Sequence, residues 1–161
     1  MKSDFLVIGT GIAGLSFALR AAQHGTVSII TKGKPMDSNT AWAQGGIAGV
    51  LPKGLREKGD SIEHHIDDTL DAGAGLCDEA AVRTILSEAG QTLEELITCG
   101  VDFDKEAGSH NAYSLGKEGG HSYRRILHAK DTTGREIAES LLEAAQLNEN
   151  ITFYEQHFAI D

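Results

Sequence analysis

The apolar run Phe5-Leu6-Val7-Ile8 leads directly into Gly9-Thr10-Gly11-Ile12-Ala13-Gly14, and from there into residues with helical spacing. Strand, tight glycine turn and helix in this order separate a dinucleotide-binding fingerprint from a generic glycine loop. Gly9 permits the sharp turn, Gly11 lets a pyrophosphate approach the backbone, and Gly14 lets the helix pack close to the strand. The N–H groups of the first helical turn and the helix dipole attract the phosphates. The expected fold class is α/β and Rossmann-like, a parallel sheet with helices.

The rest of the chain extends this beginning. Leu15, Ala18, Leu19 and Ala22 recur at helical spacing, so the spacing predicts a helix from Ile12 to about Gln23, with Gly25 as its stop. Val27-Ser28-Ile29-Ile30 reads as a second strand, completing a right-handed parallel βαβ unit in which Phe5 to Ile8 is a buried strand. Lys32 to about Gly59 is polar, rich in glycine and carries both prolines, Pro35 and Pro52; a long loop of this kind inside a compact domain is usually functional. Two helices follow. One runs from Ser61 to about Asp71, and one from Asp78 to about Thr98 with Val82, Ile85, Leu86, Leu93, Leu96 and Ile97 as its apolar stripe. Gly90 weakens the second by ~1 kcal/mol relative to alanine. Asp104 to Thr132 is polar, dotted with glycine, and carries three of the seven histidines: His110, His121 and His128. Thr133-Gly134-Arg135-Glu136 has the form of a capping box opening a helix to about Leu147, and Ile151-Thr152-Phe153-Tyr154 reads as a strand followed by Phe158-Ala159-Ile160. A doubly wound sheet needs more strands than these, which predicts a fragment of a longer enzyme with exposed apolar sheet surface.

Composition narrows the partners. A length of 161 residues corresponds to about one domain, and a formal net charge of −10 argues against nucleic acid or an anionic membrane surface. The two cysteines, Cys77 and Cys99, form no Cys-x-x-Cys motif, which suits a reducing, cytoplasmic setting with neither disulfide nor zinc site. Met1-Lys2-Ser3-Asp4 leads straight into a short strand rather than a long apolar stretch, so no signal peptide is expected, and no apolar run approaches transmembrane length.

The second strand of a dinucleotide fold usually ends in an acidic residue that holds the ribose hydroxyls. Here Thr31-Lys32 stands at that place. By spacing alone, a lysine there is compatible with a 2′-phosphate, as in NADP, or with a plain exposed strand end.

Two further stretches are more specific. Asp37-Ser38-Asn39-Thr40-Ala41-Trp42-Ala43-Gln44-Gly45-Gly46-Ile47-Ala48 resembles the flavin-contacting segment of the succinate dehydrogenase and fumarate reductase flavoprotein superfamily. Glu118-Gly119-Gly120-His121-Ser122-Tyr123-Arg124-Arg125-Ile126-Leu127-His128-Ala129, with Asp131-Thr132-Thr133-Gly134, resembles the L-aspartate oxidase family within it. The similarity runs from the glycine fingerprint to Ala159. It implies that residues 1–161 are the N-terminal part of an FAD-binding domain of the glutathione-reductase type, with an incomplete parallel sheet. The capping and helical C-terminal domains, and the family's substrate-clamping arginines and histidines, would lie elsewhere, leaving this portion inactive alone.

By the same resemblance, the cofactor is FAD. Thr10, Gly11, Ile12 and Ala13 contact the pyrophosphate, with Gly9 and Gly14 flanking them in the cofactor-binding fingerprint, and Lys32, which replaces the strand-end acid in this family, meets the adenosine end. Asn39, Thr40, Ala41, Trp42, Ala43, Gln44, Gly45 and Gly46 wrap the flavin side, and Phe158 and Ala159 pass the adenine. Gly45 and Gly46 permit close approach to a flat ring. Covalent members of the superfamily attach the flavin through a histidine where this chain has Asn39; an amide cannot make that link, so the FAD is expected to be non-covalent. For Trp42, plain core packing is the preferred reading over stacking.

The implied chemistry is oxidation of L-aspartate to iminoaspartate, with oxygen or fumarate as final acceptor and quinolinate synthase as the next enzyme toward NAD. Glu118 is the residue implied to orient the substrate: a carboxylate facing its ammonium makes a charge-assisted bond that succinate cannot offer. His121, Arg124, Arg125 and His128 form a cationic cluster suited either to a dicarboxylate or to pairing with nearby acids. His64 and His65 read as solvated helix surface, because neighbouring helix positions do not share a face for a metal. The competing readings are a soluble fumarate reductase or succinate dehydrogenase flavoprotein, and a catalytically dead FAD-binding module.

Overall fold

The computed structural model describes residues 2–109 and 112–160; His110, counted above, lies outside the described residues. The element order is β1 (Phe5–Ile8), α1 (Ile12–Ala21), β2 (Val27–Thr31), α2 (Asn39–Trp42), β3 (Ile47–Ala48), α3 (Ile62–Ala72), α4 (Glu79–Thr98), β4 (Ile126–Leu127), α5 (Thr133–Gln146) and β5 (Ile151–Glu155). The chain divides into two units. The first comprises Met1–Gln44, Cys99–Val101 and Gly134–Asp161; the second comprises Gly45–Thr98 and Asp102–Thr133.

The first unit holds the expected βαβ. Its sheet is parallel with order β1-β2-β5, and Val7, Ile29 and Phe153 share one register line. Central β2 is buried along its whole length. Strand alternation sorts β1 into two faces. Phe5 meets Phe17 of α1 edge-on at 6.4 Å between ring centroids, and Gly14 lies against Val7. Leu6 and Ile8 point the other way and are 56% and 68% exposed. The strand is therefore half-buried at the sheet edge, where the sequence led us to expect full burial: its apolar run fits two covered faces, and α1 covers one. Leu15, Ala18 and Ala21 of α1 and Ile137, Leu141 and Ala145 of α5 supply the helical core at three- and four-residue steps. Full burial of each such leucine or isoleucine contributes about 1.5–3 kcal/mol.

Helix α1 stops earlier than its spacing suggested. Ala22 is its cap, and the next turn tightens through Gln23 N–H to Arg20 O and His24 N–H to Ala21 O. Gly25 serves a close approach instead: a Cβ there would lie 2.7 Å from Asp4 Oδ2. That carboxylate accepts both the N–H and the hydroxyl of Thr26, tying the start of β1 to β2. Residues 32–59 are not structureless, since α2 and β3 lie within them. Phe158 to Ile160 form no strand, and Phe158 and Ile160 are exposed.

In the second unit β3 and β4 pair antiparallel, with Ile47 opposite Leu127, and Gly116 bridges to Ile126. The core contains Val50, Leu51, Ile66, Leu93, Leu96, Phe103, Ile126 and Leu127. Helix α3 is capped by Ser61, whose hydroxyl accepts the His64 N–H. Only Leu93 and Leu96 of the α4 stripe are buried, and Ile85 is exposed. Gly90 has a packing reason: a Cβ there would lie 2.7 Å from Val50 O. The Thr133 hydroxyl accepts the Ala129 N–H at 3.1 Å, a reach back to the preceding turn that the capping-box reading did not include. Among the described residues no helix is long and apolar enough to cross a membrane.

Candidate functional site

In the first unit, a cleft of about 520 Å³ opens at the C-terminal ends of β1 and β2. Ligands bind parallel α/β sheets at this end of the strands. One wall is the glycine turn. Gly9 has φ +98°, a conformation glycine adopts without strain, and its N–H donates to Ile30 O at 2.8 Å. A Cβ on Gly14 would lie 2.3 Å from Gly9 O, so glycine is what lets α1 start this close to the turn. The α1 N-cap is Gly11, which has no side chain to accept the first N–H groups; the Thr40 hydroxyl accepts from Ile12 N–H at 3.0 Å instead.

Of the residues implied to hold the cofactor, Gly9, Thr10, Gly11, Lys32, Asn39, Thr40, Phe158 and Ala159 line this cleft. Ile12, Ala13 and Gly14 form the first turn of α1 behind it. Ala41 and Trp42 complete α2; Ala43 and Gln44 follow it. Trp42 is 80% exposed, which overturns the core-packing reading. Helix α2 is a single turn with no buried residue, so none of its side chains enters a core. The Ser38 hydroxyl caps it.

Asp37, Ser38 and His157 also line the cleft and were not singled out from the sequence. In the sequence Gly134 stands out only as part of the motif Asp131-Thr132-Thr133-Gly134. Its N–H donates to Ala43 O at 3.1 Å, and a Cβ on it would lie 2.1 Å from Thr40 O. It is the contact that seats α2. No local sequence pattern could have revealed it, because the partner segment is remote in the chain.

The remaining implied residues belong to the second unit. Gly45 has nothing within 4 Å of its missing Cβ, whereas the space at Gly46 is filled by Ile126 Cγ2 and Leu127 O. Glu118 is exposed, on a turn closed by His121 N–H to Glu118 O at 3.3 Å, with Gly120 at φ +83°.

The cationic residues beside Glu118 do not form one cluster. The Arg125 side chain is fully buried and bonds Asp60 through two nitrogens, at 2.8 and 3.2 Å, and Asp68 at 2.6 Å. These bonds hold its guanidinium charged against the cost of burial. Arg124 is exposed. His128 pairs with Asp104 at 3.0 Å. Asp68 also accepts the N–H and hydroxyl of Ser122. Burial pushes its pKa up, but the Ser122 bonds and then Arg125 outweigh that and bring it down to about 2.

His64 and His65 part company. His64 stacks on Tyr123 at 5.0 Å, whereas His65 is 3% exposed, against His121 at 5.4 Å. Solvated surface is therefore wrong for His65. Burial, then the Arg125 charge and His121, push its pKa down to about 4, and its Nδ1 has no hydrogen-bond partner among the described residues. Also among the described residues, no group of His, Cys, Asp or Glu is placed to hold a metal ion.

Fold and cleft together define a dinucleotide-binding α/β protein of the Rossmann type. Residues 4–161 match the FAD binding domain family, and the chain belongs to that family. The dinucleotide of this family is FAD. The chain is 51% identical over 159 residues to an L-aspartate oxidase of Nicotiana tabacum named as chloroplastic, covering 98% of this chain and 23% of that protein. It is 50% identical over 163 residues to an L-aspartate oxidase of Vibrio cholerae, covering 99% of this chain and 30% of that protein. In three dimensions it is similar to an E. coli quinol fumarate reductase, with a TM-score of 0.88 and 27% identity over 98% of this chain and 26% of the other. The chain thus spans between 23% and 30% of the length of these relatives.

Proposed function

We propose that these residues are the N-terminal part of the FAD-binding domain of an L-aspartate oxidase, whose capping and helical domains lie outside them. The observation that carries the reading is the half-identity to L-aspartate oxidases across nearly the whole chain, joined to a glycine cleft whose lining fits a dinucleotide. Thr10 and Gly11, with the first N–H groups of α1, would hold the pyrophosphate. Lys32 would meet the adenosine end, with Phe158 and Ala159 beside the adenine. Asn39 to Gly46 would wrap the flavin side without a covalent bond.

When bound, FAD supplies the acceptor for the hydride that leaves the substrate Cα. This chain's contribution to specificity is Glu118. Its exposed carboxylate would bond the ammonium of L-aspartate, and succinate leaves that bond unmade. The product is iminoaspartate, the final acceptor oxygen or fumarate, the next enzyme quinolinate synthase, and the setting the cytoplasm. The likeness to fumarate reductase supports a second reading, a soluble fumarate-reducing flavoprotein, but at about half the identity.

The test is the flavin spectrum of the full-length protein before and after anaerobic L-aspartate. Bleaching of the bound flavin is expected. A bound flavin indifferent to aspartate but, once reduced, reoxidised by fumarate supports the second reading. A bound flavin indifferent to both points to a dead module.

A further inference from the structure

We propose that Asp68 and Arg125 are positioning residues for Glu118, and that they set the preference of its turn for an amino dicarboxylate over the same dicarboxylate without the amine. The inference rests on the reading of Glu118 as the ammonium partner.

The turn that presents Glu118 contains Gly119 and Gly120, which have no side chains to hold its shape, and its internal bond to His121 is long at 3.3 Å. It is held from outside at two levels. At its base, Gly116 N–H donates to Ile126 O at 2.8 Å, and Gly116 O accepts from the N–H groups of Arg125 and Ile126, both at 3.2 Å. At its far side, Asp68 takes both the N–H (2.7 Å) and the hydroxyl of Ser122. Lys117 Nζ donates to Ser122 O at 2.8 Å, which draws the residue beside Glu118 to the same point.

Asp68 is fixed in turn by Arg125, whose Nε and Nη2 bond Asp60 and whose Nη1 also meets His121 Nδ1 at 3.2 Å. Charge arithmetic separates the two acids. Asp60 and Asp68 set two carboxylates against one guanidinium, one negative charge more than neutrality needs, and Asp68 is the one with 12% of its side chain exposed. Neutralising the guanidinium does not account for it. Receiving Ser122 does, and that bond fixes where the chain leaves the Glu118 turn.

The experiment uses the flavin-loaded full-length protein with Asp68→Asn, which keeps size and one acceptor oxygen but places an NH₂ donor against Ser122 or Arg125. The KM for L-aspartate should rise about tenfold or more, because loss of a hydrogen bond to the charged ammonium carries a penalty of that order. Inhibition by succinate, which makes no ammonium bond, should stay within about twofold, and kcat should change less than KM. Hydrogen exchange at the Ser122 amide should accelerate. Equal weakening of aspartate and succinate, or no change in either, overturns the proposal. If Asp68→Asn fails to load flavin, Ser122→Ala, which deletes only the hydroxyl, should raise the KM for aspartate selectively; an unchanged KM overturns the proposal. If the wild-type protein oxidises no aspartate, the Glu118 reading fails and the selectivity claim falls with it. Exchange at Ser122 in Asp68→Asn then decides the clamp alone, and an unaccelerated amide overturns it.

Discussion

Replacing Gly14 with alanine tests the fingerprint at the point where fold and site coincide. The added Cβ would lie 2.3 Å from Gly9 O, 3.2 Å from Gly9 C and 3.4 Å from Val7 Cγ1. A carbon reaching even 3.0 Å from that oxygen requires a shift of ~0.7 Å, in a region packed like an organic crystal. Neither partner yields easily. Gly9 is bonded to Ile30 O, and α1 is fixed by Leu15 and Ala18, both buried. Overpacking of this kind costs about 1–3 kcal/mol. For a domain of this size that is a fall in Tm of roughly 2–12 °C. The same shift moves the first turn of α1 away from the cleft, so the Kd for FAD should rise together with the loss of stability. Gly45→Ala is the matched control: nothing lies within 4 Å of its Cβ position, so its stability should stay within about 0.5 kcal/mol of wild type. Thermal melts of the two variants and an FAD titration of Gly14→Ala against wild type decide the matter. A Gly14→Ala protein that melts like Gly45→Ala and binds FAD like wild type would refute the close-approach account of the fingerprint.

Three further outcomes are expected. Arg125→Met leaves the carboxylates of Asp60 and Asp68 without their cation, and should cost about 3–5 kcal/mol in urea unfolding; a loss below about 1 kcal/mol would contradict the buried network. His65 has its pKa pushed below the unfolded value of 6.5 to about 4, so it contributes stability that is complete above pH 6.5 and is lost as pH falls from 6.5 toward 4, by at most roughly 3 kcal/mol. Arg125, His121, Asp60 and Asp68 face it, and a pH series of melts should lose this slope in His65→Phe. Acid precipitation of the FAD-loaded protein should leave all flavin in the supernatant, because Asn39 offers no imidazole; flavin in the pellet would contradict non-covalent binding.

How far the sequence could be read depended on the distance over which each feature is determined. The βαβ unit is encoded within a short stretch, where hydrophobic spacing and three glycines specify strand, turn and helix locally, and the structure reproduces it. β1 departs from expectation because burial depends on what covers a face, and Leu6 and Ile8 look the same in sequence whether covered or bare. Thr133 adds a bond that spacing does not reveal, because its contact with the Ala129 N–H depends on how the preceding turn folds. His65 departs because the argument from adjacent helix positions separated His64 from His65 correctly but could not say which of the two faces would be closed. Asp60 and Asp68 looked like ordinary acids; what marks them is Arg125, more than fifty residues away.

The same distinction explains how the implied flavin segment is built. Its anchors are mostly backbone: Ala43 O accepts Gly134 N–H, and Gly134 packs against Thr40 O, while the Thr40 and Ser38 hydroxyls are used on helix N-termini. A segment fastened in this way need not insert its own side chains into a core. Asn39, Trp42 and Gln44 are all exposed, although an indole is among the most rewarding side chains to bury. Leaving Trp42 outside makes physical sense only if burial was not required to hold the segment, and Gly134 removes that requirement by letting two backbones touch. The glycine that looks least like a binding residue is therefore the one that lets the side chains beside it stay outside the core. Gly134→Ala should disturb the seating of α2 before it disturbs the sheet.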